Sequence, residues 1–180
     1  MLGLFFIGDL HHQTSLWPTS PNPQDQLDDI WDKIWHPRIW PKISIFFWLL
    51  SKRRILTWDN LCRRGFVGPS QCPNCGINEE SSEHLFNECS LAIALWDKVT
   101  LVRKCFDRIP RSLLDIIRRW PPTTFQSNIL NALLTIIPRI IFWSIWKERN
   151  RRIFKDVKAT PDILWNIICS NLQETLALQH

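Results

Sequence analysis

The sequence predicts an all-α fold: an irregular small helical domain around a Cys-Cys-His-Cys loop, followed by a long C-terminal helical region. Three observations carry this expectation. Apolar residues recur at helical spacing over most of the chain, no alternating strand pattern of useful length is present, and Cys72, Cys75, His84 and Cys89 fall at the spacing of a single metal site. The 180 residues are 45% hydrophobic and 22% charged, which suits a packed domain with an appendage and is too apolar for a disordered chain.

Residues 1–26 read as a flexible arm, because 11–26 is rich in Pro, Ser, Thr and Asn. The apolar residues 1–7 are few and no basic residue precedes them, so they make a poor signal peptide; the abrupt start reads as that of a longer chain that has been cut. Asp28 and Asp29 favour a helix start, Ile30, Trp31, Ile34 and Trp35 share one face, and His36-Pro37 ends that helix. Pro41 suits the first turn of the next helix, whose Ile43, Phe46, Phe47 and Leu50 are expected in the core and whose end is marked by Lys52-Arg53-Arg54. Thr57 is the expected N-cap of a helix over 58–64, and Gly65 its terminator. Ser81 or Ser82 is placed to cap a short helix holding His84, Leu85 and Phe86. Helices are expected over 91–105 and 111–120, the second stopped by Pro121-Pro122.

Residues 128–154 are apolar and then strongly basic, and Pro138 should break or kink the helix they form. The apolar stretch 129–146 contains Asn131, Pro138, Arg139 and Ser144. A charge at mid-span is costly in lipid, so a buried helix is expected and no membrane. Thr160 and Pro161 open the last helix, reaching about residue 177. The eleven Trp run from Trp17 to Trp165, too dispersed for one cofactor pocket, and read mainly as packing.

The net charge of +5 is unevenly spread. Residues 37–64 hold seven Lys or Arg against Asp59 alone, and 139–158 hold seven against Glu148 and Asp156, whereas the cysteine region 65–102 is acidic. Basic stretches attract phosphate backbones, but they also serve as solvated helix faces.

Six cysteines without a secretory signal point to an intracellular chain with metal-bound or free thiols rather than a disulfide framework. Cys72 and Cys75 share one tight turn, which Gly76 permits, and grip one side of a tetrahedral ion; His84 and Cys89 close the other side. The competing reading makes Cys72 and Cys75 core or redox cysteines. Three thiolates and an imidazole fill a tetrahedral zinc, so a single structural ion is expected, with no open position for a reacting water. Glu83 does not fit a deaminase base, because that chemistry places a His-x-Glu ahead of the cysteine pair. Cys62, Cys105 and Cys169 lie in helical patterns and are expected to be buried thiols.

Ile30 to Trp35, Pro41 to Leu50, Thr57-Trp58-Asp59-Asn60-Leu61-Cys62-Arg63-Arg64-Gly65, the ligand quartet with Glu83-His84-Leu85-Phe86, and Leu95-Trp96 follow one another in a specific order. This run resembles the zinc-binding domain that follows the polymerase in plant LINE-type (non-LTR retrotransposon) reverse transcriptases. Ile145-Trp146-Lys147-Glu148-Arg149-Asn150-Arg151-Arg152-Ile153-Phe154 resembles the helix that often follows it. The resemblance implies a zinc-binding domain over 27–105 and a helical extension over 106–180.

The resemblance does not carry polymerase activity with it. Those polymerases hold metal ions on a Tyr-x-Asp-Asp-like turn, whereas this chain has no Tyr, and only 25 residues precede the nearest echo at Gln26-Leu27-Asp28-Asp29. A ribonuclease H centre needs a carboxylate cluster on a sheet, and residues 156–180 offer only Asp156, Asp162 and Glu174. No catalytic residues are therefore expected. The function expected is that of an accessory module binding RNA or single-stranded DNA through Arg53, Arg54, Arg63 and Arg64, which lie close in sequence to Trp58, with Lys147, Arg149, Arg151 and Arg152 as a second patch and an exposed Trp to stack on a base. The alternatives are a module that docks on a reverse transcriptase polypeptide, and a non-functional remnant of the element.

Overall fold

The computed structural model describes residues 34–35, 39–99, 112–119 and 126–177. The expected N-terminal arm, Asp28 and Asp29, most of the helix over 28–35, Cys105 and the 105/106 domain edge lie outside the described residues.

Pro41 opens α1 (Pro41–Ser51), where its missing N–H costs nothing, and the Trp40 carbonyl accepts from Ile43 N at 2.8 Å. Ile43, Phe46, Phe47 and Leu50 form the buried face. The helix closes in a Schellman turn: Arg53 N donates to the Leu50 carbonyl (2.9 Å) and Arg54 N to the Leu49 carbonyl (2.8 Å). The left-handed residue of that turn is usually glycine, but here it is Arg53, at φ +53°. The short α2 (Trp58–Cys62) ends in a second such turn, with Gly65 at φ +83°, as its sequence predicts. Thr57 stands at its N-cap position but forms no side-chain cap bond to the helix; its buried hydroxyl lies 2.9 Å from that of Ser82 and ties α2 to the next segment.

A π-helical turn (His84–Glu88) and α3 (Ser90–Lys98) follow, then α4 (Leu113–Arg119), the long α5 (Asn128–Lys155) and α6 (Pro161–Ala177). Helix α5 packs against α1, the π turn, α3 and α6. At the meeting point Phe142 of α5 lies 6.0 Å, ring to ring, from Phe47 of α1, 5.6 Å from Phe86 of the π turn and 5.4 Å from Trp96 of α3. The Trp96 indole N–H donates to the Phe86 carbonyl at 3.1 Å, so this large buried ring leaves no polar atom unpaired. One apolar cluster thus runs from Ile34 to Ile168, across the 105/106 edge.

Pro138 does not break α5. A mid-helix proline costs roughly 3 kcal/mol. Ile136, Ile137, Ile140 and Ile141 around it are all buried, each contributing about 1.5–3 kcal/mol, so packing wins. Arg139 is buried as well; burial lowers its guanidinium to about 10, and it lies over the Phe47 ring. Among the described residues no strand forms beyond an isolated bridge between Gln71 and Glu79, and no helix is long and apolar enough to cross a membrane. The buried-thiol expectation fails at Cys62, which is exposed because it lies in the short, solvent-facing last turn of α2; Cys169 is half-buried.

Left-handed backbone costs an L-residue about 1–2 kcal/mol. Arg53→Gly should therefore raise unfolding stability by about 1 kcal/mol, read as a higher denaturant midpoint at unchanged slope.

Candidate metal centre

Residues 70–80 fold back on themselves. Cys72 N donates to the Asn78 carbonyl and Glu80 N to the Ser70 carbonyl, each at 2.7 Å. The turn between them closes when Gly76 N donates to the Cys72 carbonyl (2.8 Å), with Gly76 at φ +67°. A Cβ at Gly76 would meet no atom within 4 Å, so the backbone angle and not space demands glycine there. This turn sets Cys72 and Cys75 on one side of the site.

The other side comes from the π turn. Ser81 is the cap: its hydroxyl accepts from His84 N at 3.0 Å and its carbonyl from Leu85 N at 2.9 Å. Cys89 N then donates to the His84 carbonyl at 2.7 Å, an i→i+5 bond. In an α-helix residues five apart point to different faces, whereas the wider π turn brings them to the same side. It places Cys89 over His84 without a long loop.

One ligand atom from each of Cys72, Cys75, His84 and Cys89 lies within 4.8 Å of all the others. His84 presents Nε2, 3.3 Å from Cys75 Sγ. A tetrahedron of zinc–sulfur bonds has edges of roughly 3.8 Å, so a modest contraction completes it. Cys72 and Cys89 are fully buried and His84 nearly so.

The Cys72 thiol is pushed well above its usual value, first by its hydrogen bond with Cys89 and then by burial. Cys89 is lowered, first by that same bond; burial opposes this, while the Leu91 and Ala92 amides at the start of α3 assist. A divalent cation that binds both sulfurs takes the place of the proton in the bond between them. The Cys75 and Asn74 amides also favour the Cys72 thiolate. Buried sulfurs supplied with N–H donors, a converging imidazole and a soft donor set all fit zinc.

Behind the loop lies a layer of charge. Glu80 is buried and accepts both Nε (2.8 Å) and Nη2 (3.0 Å) of Arg149. Arg152 Nη1 donates to the Asn74 carbonyl (2.6 Å) and the Pro73 carbonyl (3.2 Å), inside the cysteine turn, while its Nε pairs with Glu148 (2.7 Å). Burial alone would raise the Glu148 carboxyl, but the Ala159 N–H it accepts, with Arg152 and Arg151, holds it below its usual value. Glu83 accepts Leu113 N at 2.7 Å and so caps α4.

These contacts correct the second basic patch. Arg149 is buried against Glu80, and Arg152 is spent on Glu148 and the cysteine turn. Arg151 also pairs with Glu148, and Lys147 is exposed. In contrast, Arg53, Arg54, Arg63 and Arg64 are all exposed. Trp58 is half-buried: a Cβ on Gly68 would stand 2.9 Å from its Cη2, so the chain lies directly on the ring. The i,i+4 spacing of Glu148 and Arg152 offered a local signal for their pairing; nothing local links Glu80 to Arg149, 69 residues away.

Residues 12–96 match the family described as zinc-binding in reverse transcriptase. The chain is 22% identical over 132 residues to the Arabidopsis thaliana protein named "Putative ribonuclease H protein"; the aligned region covers 73% of this chain and 21% of that protein. The chain thus spans about a fifth of that relative's length. No solved structure matches the chain.

Purified protein should hold one zinc per chain, and Cys75→Ser should lose the ion together with much of the helical circular dichroism, because binding energy at such a site is folding energy. Full zinc occupancy in Cys72→Ser/Cys75→Ser protein would count against the assignment. Arg152→Ala should keep the ligands but weaken zinc affinity about 10-fold or more, in competition with a chromogenic chelator.

Proposed function

Residues 12–96 carry a zinc-binding domain of the reverse transcriptase family, and from that premise we propose that the chain is a non-catalytic, retroelement-derived module that binds single-stranded RNA or DNA through Arg53, Arg54, Arg63 and Arg64. The observation that carries this reading is the exposure of these four guanidinium-bearing residues at the ends of α1 and α2. Most arginines of the long helix, by comparison, are committed to internal partners. Arg63 is also pre-oriented. Its Nη1 donates to Asn60 Oδ1 at 3.1 Å, and the Asn60 amide in turn donates to the Ile55 carbonyl at 2.8 Å. The remaining N–H groups of Arg63 are free to fork onto a phosphate.

The non-catalytic part of the reading rests on the ligand set. Three sulfurs and one ring nitrogen complete a tetrahedral shell, so a bound ion has a structural role and no position left for a reacting water. When zinc is bound it holds the cysteine turn to the π turn. The chain's own residues then present arginines on a rigid surface.

The reading is tested by fluorescence anisotropy of a labelled oligonucleotide at several salt concentrations. Four phosphate contacts on a single strand give a log–log salt slope of about −3. Arg53→Glu with Arg54→Glu should weaken binding equally for different sequences. A flat salt response would favour docking on a polypeptide through the exposed Ile153, Phe154 and Val157 instead.

A further inference from the structure

Aromatic side chains are heavily used in the core of this protein, and Phe46, Phe47, Phe86 and Phe142 are all buried. Phe66 is not: it is 59% exposed, and Val67 beside it is 99% exposed. Both stand in the run Arg63-Arg64-Gly65-Phe66-Val67-Gly68, directly after two of the exposed arginines.

The backbone that carries them is pinned at both ends. On one side, Gly65 in the left-handed region donates N–H to the Cys62 carbonyl (2.9 Å), and Phe66 N donates to the Leu61 carbonyl (3.2 Å). In such a helix-ending turn the residue after the glycine usually folds an apolar side chain back onto the helix. Phe66 has its main chain in that position but leaves most of its ring in solvent. On the other side, Gly68 lies against the Trp58 ring so closely that a Cβ would stand 2.9 Å from it. Trp58 is half-buried and held by that contact, whereas Phe66 is the more exposed ring and follows Arg63 and Arg64 directly.

We infer that Phe66 is the base-stacking residue of this surface: a base of a single strand lies on its ring while Arg63 and Arg64 hold the flanking phosphates. The inference rests on the nucleic-acid reading above and adds to it the residue that meets the base. Single-strand sites combine cationic groups that follow the backbone with an aromatic ring that takes any base, and a ring fixed by its backbone loses little freedom on binding. Phe154 is equally exposed, at 59%, but its neighbours Arg151 and Arg152 are paired with Glu148, so it has no comparable pair of free guanidiniums beside it.

The experiment uses the full chain loaded with zinc and two labelled oligonucleotides of equal length, oligo(dT) and a wholly abasic strand. Phe66→Ala should bind oligo(dT) roughly tenfold more weakly, at unchanged zinc content. Phe66→Trp should restore binding, and Phe66→Leu, apolar but without a π face, should not. On the abasic strand, Phe66→Ala and the unaltered protein should bind alike, and Phe154→Ala should match the unaltered protein on both strands. Full binding of oligo(dT) by Phe66→Ala, while the Arg53/Arg54 reversal still weakens it, overturns the stacking role and leaves the phosphate reading standing. Rescue by Phe66→Leu, or an equal loss in Phe154→Ala, also overturns stacking, in favour of a generic apolar contact. Absence of binding by the unaltered protein to either strand overturns both.

Discussion

The zinc loop keeps its shape because an ion pair behind it is buried. Glu80 sits at the edge of the cysteine turn, and both its oxygens are taken by Arg149 of the long helix. Neither group is more than slightly accessible to water. Two charges in that position carry a desolvation penalty of several kcal/mol each, and only a bidentate geometry offsets it; loss of either partner would strand the other at a cost of about 3–5 kcal/mol. The pair therefore tolerates little relative movement. Arg152, one turn further along, adds donors to the carbonyls of Pro73 and Asn74. The turn that carries Cys72 and Cys75 is held by helix α5 as well as by its own hydrogen bonds.

The support of the metal site extends past residue 96, where the family match ends. A site of four ligands between residues 72 and 89 could in principle stand on local structure alone. Here the π turn buries Phe86 against Phe142, α3 buries Trp96 against the same ring, and α5 brings the guanidinium groups. The core and the metal site share one support. The metal closes the front of the loop, and α5 closes the back.

Much of this was legible in the sequence because the signals were local. The ligand quartet declares itself by spacing, Pro41 and Pro161 mark helix starts, and Gly65 marks a helix end. The helical class follows from periodicity. The rest was settled by packing and chain geometry that local patterns do not report. Cys62 sits in an apolar pattern, but its helix is too short to bury it. Pro138 does not break α5, because the core around it holds the helix together. Trp58 belongs beside the arginines by sequence, and Gly68 returns to pack on its half-buried ring. The π turn has no sequence mark beyond the five-residue step from His84 to Cys89, a step an α-helix would not bring to one side.

Charge shows the same lesson at the level of function. Residues 37–64 and 139–158 carry the same number of basic side chains, and a charge profile treats them as equivalent. In the folded chain they have different roles. Arg139 is buried over Phe47, Arg149 is consumed by Glu80, and Arg151 and Arg152 are drawn to Glu148. A guanidinium paired with a carboxylate adds less field at the surface and has fewer donors left for a phosphate. Among the described residues no carboxylate pairs with the arginines at the ends of α1 and α2, and the only acidic residue in 37–64, Asp59, accepts from the Thr57 hydroxyl. The placement of carboxylates therefore decides where this protein keeps positive charge at its surface.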